Sequence, residues 1–213
     1  MGVLTLLSEA VQKGRADDVL TLINAGLDQG LAAEQLLDDG LLQGMATLGE
    51  RFKNNQAWVP EVLLAARVLN KGMDALKPRL IEAGLTSRGK AVIGTVEGDL
   101  HDIGKNLVKI MFEGSGFEVI DLGTNVKADE FVEAVSAHHP DVLCLSALLT
   151  TTIGEMQAVI GAVEAAGLRD QVKILVGGAP VTEDLASQIG ADGYAADAAA
   201  AADLASRIIA LAS

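Results

Sequence analysis

The sequence has few aromatic residues, one cysteine and no long apolar run. Aromatic side chains make up 3% of its 213 residues and hydrophobic residues of all kinds 50%, so a sizeable core must be built mainly from Ala, Val, Leu and Ile. The single cysteine, Cys144, excludes an intramolecular disulfide framework and most cysteine-based metal sites. No apolar stretch approaches the ~18 residues that cross a bilayer, and the first residues lack a signal-peptide pattern. We therefore expect a soluble, cytoplasmic protein.

Basic residues are also scarce, above all in the C-terminal part. The chain has 16 basic and 29 acidic side chains, a net charge of −13, and residues 89–213 hold 7 of the basic and 18 of the acidic ones. Such a surface repels phosphate backbones and anionic lipid headgroups. We predict that the protein binds neither nucleic acid nor membranes.

Up to about residue 83 the apolar residues recur at helical spacing. The pattern predicts two short helices, broken near Gly14 and Gly26, then a helix over about 32–51 and a fourth that begins at Pro60. The fourth helix is expected to bury Val62, Leu63, Ala66 and Leu69. Four helices joined by short turns predict a small four-helix bundle over residues 1–83.

After a linker at residues 84–89 the rhythm changes to alternating strands and helices. The predicted strands are Ala91–Val96, Glu118–Asp121, Val142–Leu145, Lys173–Val176 and Gly193–Tyr194. The predicted helices begin near Ile103, Ala128, Ile153, Thr182 and Ala198. Strands that are apolar on both faces and alternate with helices predict a five-stranded parallel, Rossmann-like (flavodoxin-like) α/β domain over residues 90–213. In such a domain ligands bind beyond the carboxyl ends of the strands.

The loop after the first predicted strand places one histidine at that edge of the sheet. Residues 97–106 read Glu-Gly-Asp-Leu-His-Asp-Ile-Gly-Lys-Asn, which is neither G-x-G-x-x-G nor a P-loop. The imidazole of His101 suits cobalt and similar metals, and Asp99 or Asp102 could orient it. A lone histidine in a polar loop also fits an ordinary solvated residue. One histidine cannot hold a bare metal ion, so a metal bound here would bring its other ligands with it, as in a macrocycle.

Two further strand ends carry hydroxyl groups and small residues. Residues 146–152 read Ser-Ala-Leu-Leu-Thr-Thr-Thr, and Gly177-Gly178 ends the fourth strand. Together they predict a narrow slot beside the histidine loop. The alternative is ordinary turn chemistry, with Thr152 capping the next helix.

These motifs carry a family resemblance. The pattern Asp99-x-His101-x-x-Gly104, followed by Ser146-x-Leu148 and Gly177-Gly178, resembles the B12-binding signature of cobalamin-dependent methyltransferases and mutases. The segment Trp58–Val62 is similar to the helical cap that precedes this domain in methionine synthase. The resemblance extends from about residue 3 to the C-terminus.

The resemblance implies cobalamin or a related corrinoid as cofactor, bound base-off/His-on with His101 as the axial ligand of cobalt. Asp99 and Ser146 match the positions that relay hydrogen bonds from the imidazole, and Phe52 and Val59 match cap residues that cover the methyl-bearing face. The residues implied to contact the cofactor are Gly98, Asp99, His101, Asp102, Ile103, Gly104, Ser146, Leu148, Thr150, Gly177, Gly178, Tyr194, Asp197, Ala198, Phe52 and Val59. Helical spacing alone would place Phe52 and Trp58 in the bundle core.

The function implied by the resemblance is that of a corrinoid methyl carrier that is not catalytic alone. A substrate-specific methyltransferase would deliver a methyl group to Co(I), and a second methyltransferase would pass it to tetrahydrofolate or coenzyme M. The implied donors are methanol, methylamines, methylated aromatic ethers or betaines, and a reductive activase is a further implied partner. Three alternatives remain: an adenosylcobalamin mutase subunit, which normally lacks the cap; a B12-responsive regulator, which usually carries a DNA-binding region; and a nucleotide-binding domain, which would leave the Asp99–His101–Gly104 pattern unexplained.

Overall fold

The computed structural model describes residues 2–84 and 87–212, and the chain divides into two compact units. The first comprises Met1–Ser87 with Gly114–Gly116, and the second comprises Arg88–Glu113 and Phe117–Ser213. Residues 85 and 86, part of the predicted linker, lie outside the described residues. The first strand begins at Gly89, so the predicted linker includes the first residue of the sheet.

The first unit is helical, as predicted. Its elements are α1 (Val3–Gln12), α2 (Val19–Asp28), α3 (Ala33–Gln35), a π-helical segment (Leu36–Leu42), α4 (Gln43–Lys53) and α5 (Val59–Glu82). Helix α3, the π-helical segment and α4 follow one another without a break and together form the predicted third helix. The apolar spacing does not predict the π-helical segment. At the start of α5, the backbone N–H of Trp58 donates to Glu61 Oε2 at 2.8 Å, which satisfies one of the groups left open at the helix end.

Two predictions for this unit were wrong. Gly26 does not break α2, which continues to Asp28. A Cβ at Gly26 would lie 2.5 Å from Leu36 Cδ2, so the glycine permits close packing within the bundle. Leu63 is 51% exposed, whereas Val62 is fully buried, because consecutive residues of a helix point about 100° apart.

The second unit is the predicted five-stranded parallel sheet flanked by helices. The strands are β1 (Gly89–Thr95), β2 (Phe117–Asp121), β3 (Val142–Ser146), β4 (Lys173–Gly177) and β5 (Gly193–Tyr194), in the order β2-β1-β3-β4-β5. Strand order therefore reverses between β1 and β3, and parallel α/β sheets bind ligands at such a switch point. Thr95, Ser146 and Gly177 are aligned across the carboxyl edge of β1, β3 and β4.

Helices cover both faces of this sheet. The helices are α6 (Ile103–Glu113), α7 (Ala128–His138), α8 (Ile153–Ala165), a 3-10 turn (Arg169–Gln171), α9 (Glu183–Gln188) and α10 (Ala198–Ala212). A hydrophobic core that includes Val92, Leu143 and Ile174 packs against α7, α8 and α9 on one face. Helices α6 and α10 pack together against the other face. In the part of the chain that the structure describes, no helix has the length and apolar character needed to span a membrane.

Candidate functional site

The loop between β1 and α6 places a buried carboxylate directly behind a half-exposed imidazole. The Asp99 side chain is fully buried, and its Oδ1 lies 2.6 Å from His101 Nδ1. The same oxygen accepts the backbone N–H of His101 at 3.1 Å. The imidazole itself is 51% exposed. With an ionised Asp99, Nδ1 carries the proton that bonds to the carboxylate, so the lone pair of the ring lies on Nε2.

The second oxygen of Asp99 is held by the loop between β3 and α8. Its Oδ2 accepts the backbone N–H of Leu148 at 2.7 Å and that of Leu149 at 3.2 Å. The Thr152 hydroxyl lies 2.9 Å from the same oxygen and 3.0 Å from the Leu149 carbonyl. Its single proton favours the carboxylate, because a hydrogen bond to a charged acceptor is the stronger one.

This environment keeps Asp99 ionised. Burial by itself raises the pKa of Asp99, but hydrogen bonds from Leu148, from the backbone and ring of His101, and from Thr152 outweigh burial and hold that pKa well below its usual range. A permanently charged carboxylate fixes both the tautomer and the orientation of the ring. The arrangement matches that of a metal-ligating histidine, which donates its other ring N–H to a carboxylate.

The contacts decide between the two carboxylates considered as partners of His101. Asp99 is the orienting group, whereas Asp102 accepts the side-chain amide of Asn106 at 3.1 Å and its carbonyl accepts the Asn106 N–H at the start of α6. The hydroxyl assigned to the relay also changes. Thr152, not Ser146, contacts Asp99, and no hydrogen bond joins Ser146 to Asp99 or His101 among the described residues.

The alternative prediction for Thr152, as a side-chain cap of α8, is wrong as well. Its hydroxyl makes no capping bond to that helix and instead points to Asp99, with only 6% of the residue exposed. The sequence offers a weak signal for this role: a polar residue at the end of a loop that follows an apolar strand. Nothing in the spacing distinguishes Thr152 from the exposed Thr150 and Thr151.

Two residues that the sequence analysis did not single out also hold the histidine loop. The fully buried Thr95 donates its hydroxyl to the backbone carbonyl of His101 at 2.9 Å. Asn125 accepts the backbone N–H of Gly98 at 2.7 Å, and its own N–H donates to the Asp99 carbonyl at 2.9 Å. The loop is therefore ordered by contacts from both neighbouring strands.

The glycines of the predicted slot differ in what they permit. Among the described residues, and apart from its chain neighbours and the backbone of its own helix, no atom lies within 4 Å of the place where a Cβ at Gly104 would stand. At Gly177 the Ala195 carbonyl is the one atom found within that distance, at 3.5 Å. Gly178 has φ +137°, and a Cβ there would overlap the backbone carbonyl of Ala147. Gly178 is therefore required by the backbone itself, whereas Gly104 and Gly177 leave open space beside the sheet edge.

Exposed apolar side chains occur on the segments that carry His101 and hold Asp99. Leu100 and Ile103 are 74% and 79% exposed, and Leu148 and Leu149 are 42% and 40% exposed. Leu100 lies in the histidine loop, Ile103 begins α6, and Leu148 and Leu149 lie in the loop between β3 and α8. Exposed apolar groups concentrated around one polar ligand are typical of a surface that a largely apolar cofactor covers.

The remaining predicted contact residues lie near the same edge with different surroundings. Tyr194 packs against the core on the α7 and α8 face, and strand alternation places Ser146 and Gly177 on the other face. Asp197 accepts the backbone N–H of Ala200 at 2.8 Å and so caps α10. Ala198 is 5% exposed. These contacts give Tyr194, Asp197 and Ala198 structural roles in this domain.

In the helical unit, the two residues implied to cover the methyl-bearing face of the cofactor, Phe52 and Val59, are accessible. Phe52 is half-buried, Val59 is 38% exposed and Trp58 is 71% exposed. Trp58 is therefore not part of the bundle core, contrary to the interpretation from helical spacing.

At this site the described residues offer one imidazole, that of His101, rather than a cage for a bare ion. Cys144 is buried in β3, and burial raises the pKa of its thiol to about 12, so the thiol is protonated. Within residues 2–84 and 87–212, no group of three or more His, Cys, Asp and Glu side chains could hold a metal ion. The half-exposed imidazole, the exposed side chains of Leu100, Ile103, Leu148 and Leu149, and the open space at Gly104 and Gly177 fit a metal that is already bound in a macrocycle.

The second unit is thus a flavodoxin-like domain with one imidazole, oriented by a carboxylate, at its switch point. These features fit a corrinoid-binding protein, and comparison with known proteins agrees. Two family models, both described as a B12 binding domain, match residues 89–203 and residues 3–77. The chain therefore belongs to the B12-binding family of corrinoid proteins.

Relatives and solved structures of this family cover the whole chain. It is 38% identical over 212 residues to a corrinoid protein of Desulfitobacterium hafniense and 38% identical over 209 residues to the dimethylamine corrinoid protein of Methanosarcina barkeri, with 98% of each chain covered in both cases. In the methanol:cobalamin methyltransferase complex of Methanosarcina barkeri, a chain superposes with a TM-score of 0.88 at 31% identity, over 98% of this chain and 80% of that one. A cobalamin-binding protein of Desulfitobacterium hafniense gives a TM-score of 0.80 at 34% identity, over 96% and 98%.

Proposed function

We propose that this protein carries a methyl group on a bound corrinoid between two methyltransferases, with His101 as the protein ligand of cobalt in a base-off/His-on state. The observation that carries the proposal is the 2.6 Å contact between His101 Nδ1 and Asp99, which leaves Nε2 as the ring nitrogen that Asp99 does not engage, on a side chain that is 51% exposed. When bound, the corrinoid supplies a cobalt centre that takes up and releases the methyl group. The chain's own residues bind and orient it.

The two ring nitrogens of His101 have different partners: Nδ1 is bonded to Asp99, and Nε2 is the nitrogen that would bind cobalt. Because Asp99 remains ionised, it accepts the Nδ1–H of either a neutral or a protonated imidazole. With Nδ1 bonded to Asp99, Nε2 is the ring nitrogen that would bind the cobalt of the corrinoid, and the ring is half-exposed to solvent. Asp99 and Thr152 keep the ring in place.

The open space near the sheet edge supports a place for the displaced nucleotide tail of the cofactor. Gly104 and Gly177 have room beside them, and Ser146 lies in the row between Thr95 and Gly177 with a half-buried hydroxyl. We infer that Gly104, Ser146 and Gly177 line the slot. The accessible Phe52 and Val59 support the further proposal that the helical unit shields the methyl-bearing face from water.

The relatives point to the partners. Their names refer to dimethylamine and trimethylamine, and one structural neighbour is part of a methanol:cobalamin methyltransferase complex. We propose that the donor is a methylamine, methanol or another small methylated compound, delivered by a dedicated methyltransferase. Tetrahydrofolate or coenzyme M is the proposed final acceptor, and a reductive activase would restore Co(I). The same relatives favour the carrier over a mutase subunit or a B12-responsive regulator.

Electron paramagnetic resonance of the Co(II) form tests the axial ligand directly. The protein is labelled with ¹⁵N-histidine, loaded with hydroxocobalamin and reduced by one electron. If His101 binds cobalt, the nitrogen splitting is a doublet from ¹⁵N, and unlabelled protein gives a triplet. In the labelled protein, His101→Ala should lose the ¹⁵N doublet, whereas His138→Ala, which removes an exposed histidine at the end of α7, should keep it.

A triplet in the labelled protein would show that the cofactor's own base remains bound and would contradict the base-off/His-on proposal. Methyl carriage is then tested with the Co(I) protein and methyl iodide as a chemical donor. The optical spectrum should change to that of the methylated cofactor. Failure of the loaded protein to accept the methyl group would contradict the carrier function.

A further inference from the structure

In the loop between β2 and α7, Asn125 makes two hydrogen bonds to the histidine loop. Its side-chain Oδ1 accepts the N–H of Gly98 at 2.7 Å. Its backbone N–H donates to the carbonyl of Asp99 at 2.9 Å. Asn125 thus bonds to the peptide group that precedes Gly98 and to the peptide group that follows Asp99.

The position of Asp99 depends on this turn. Gly98 has φ +77°, in the left-handed region, so the chain reverses its course just before Asp99. The Asp99 carboxylate in turn holds the ring of His101. A shift of residues 98 and 99 would therefore move the carboxylate and the imidazole together.

Asn125 is itself held in place from both directions. On one side, Gly123 donates to Asp121 Oδ1 at 3.0 Å, and Asp121 is paired with the buried Lys105 at 2.6 Å. On the other side, Val126 donates to the Thr95 carbonyl at 3.0 Å. The loop around Asn125 is thus a fixed support and not a free turn.

The residue type suits both tasks of this position. Asn125 has φ +56°, a left-handed conformation that asparagine and glycine adopt most readily. A glycine would meet the backbone requirement but would leave the Gly98 N–H without its acceptor. Asparagine supplies the backbone conformation and the acceptor together.

We propose that Asn125 is a positioning residue, which holds residues 98 and 99 so that His101 is presented to cobalt before the corrinoid arrives. The proposal rests on the axial role of His101 given above. Preorganisation of a ligand reduces the ordering that binding must otherwise supply. Removing the acceptor should therefore weaken corrinoid binding and reduce the share of molecules in which His101 is bound.

Three substitutions separate the acceptor from the backbone. Asn125→Gly keeps the left-handed conformation and removes the acceptor, and Asn125→Asp keeps both. Thr124→Ala changes the neighbouring residue, whose side chain makes no hydrogen bond among the described residues. Each variant is titrated with hydroxocobalamin, and the histidine-bound share is read from the nitrogen splitting of the Co(II) form.

We expect Asn125→Gly to weaken binding about 2- to 10-fold, the range of one neutral hydrogen bond, and to lower the histidine-bound share. Asn125→Asp and Thr124→Ala should bind like the unaltered protein. In the cofactor-free protein, amide hydrogen exchange at Gly98 should be faster in Asn125→Gly than in the unaltered protein, and it should be unchanged in Asn125→Asp and Thr124→Ala. That readout needs no cofactor and reports on the folded protein.

Two results would overturn the inference. One is unchanged affinity and unchanged Gly98 exchange in Asn125→Gly. The other is weaker binding with an unchanged histidine-bound share, which would make Asn125 a cofactor contact or a structural residue. If the unaltered protein shows no ¹⁵N doublet, it is the axial role of His101 that fails; faster Gly98 exchange in Asn125→Gly would then still show that Asn125 orders the loop.

Discussion

Thr152 offers the sharpest test of the network behind the imidazole. Thr152→Val replaces the hydroxyl with a methyl group of similar size, so Asp99 Oδ2 loses the donor at 2.9 Å and keeps the backbone N–H groups of Leu148 and Leu149. Because Asp99 is fully buried, water cannot readily replace the lost hydroxyl. The substitution thus changes one contact of a charged group and little else.

The expected cost follows from the charge and the burial of Asp99. A hydrogen bond to a charged group contributes about 1.5–3 kcal/mol, and the two remaining donors to Oδ2 place the expected loss toward the lower end, about 1–2 kcal/mol. The pKa of Asp99 should rise toward its usual range, because one of the bonds that lowers it has gone. The ring of His101 should also be held less firmly.

The assay is urea unfolding of the cofactor-free protein at pH 7, compared with two controls. Thr152→Ser keeps the hydroxyl, and Thr151→Val makes the same change at an exposed neighbour. Thr151→Val should unfold within about 0.5 kcal/mol of the unaltered protein, as surface changes usually do, and Thr152→Ser should cost no more than about 0.8 kcal/mol, the contribution of one buried methyl group. If Thr152→Val is as stable as Thr151→Val, the reasoning that the Thr152 hydroxyl stabilises the Asp99 carboxylate is refuted.

Three further predictions concern the same edge of the sheet. Gly177→Leu should fold normally but lose at least tenfold in hydroxocobalamin affinity, since its neighbourhood is open; Gly177→Ala should bind nearly normally, and equal affinity of all three proteins would argue against a slot there. Gly178→Leu should instead lower the free energy of unfolding, because its Cβ would meet the Ala147 carbonyl, and normal stability would contradict that geometry. Asp99 has a lowered pKa, so the stability it contributes is present above its ordinary pKa of about 3.9 and is lost as the pH falls toward its lower folded pKa. The difference in unfolding free energy between the unaltered protein and Asp99→Asn should therefore be constant from pH 8 to about pH 5 and shrink below about pH 4; a difference that does not change down to pH 3 would contradict the assignment.

Local patterns were sufficient for the element types and for the histidine. Apolar residues at helical spacing, and short apolar runs between helices, reflect contacts that each element makes with its own core, so the order of helices and strands could be read directly. A short strand was predicted near Gly193–Tyr194, where β5 lies. His101 was identifiable because its position after β1 follows from strand order alone.

The predictions for Gly26, Leu63 and Trp58 failed because packing between helices decides where a helix ends and which side chains are buried. Gly26 suggests a break in isolation, but in the bundle it accommodates Leu36, and α2 continues through it. Leu63 looks like a core residue by type, yet α5 turns it outward. Trp58 is similar: its size suggests burial, and only the bundle shows that it is exposed.

The sequence by itself therefore determined the fold class, the family and the candidate metal ligand, His101, because these depend on periodicity and on a motif contiguous along the chain. Only the tertiary structure decided which groups support that residue. Thr152 is 53 residues from Asp99 and Asn125 is 27 residues from Gly98, and no local pattern predicts which of several hydroxyls or amides turns toward the loop. That choice depends on how three neighbouring strands end at one edge of the sheet, where side-chain direction is set by backbone conformation and not by residue type.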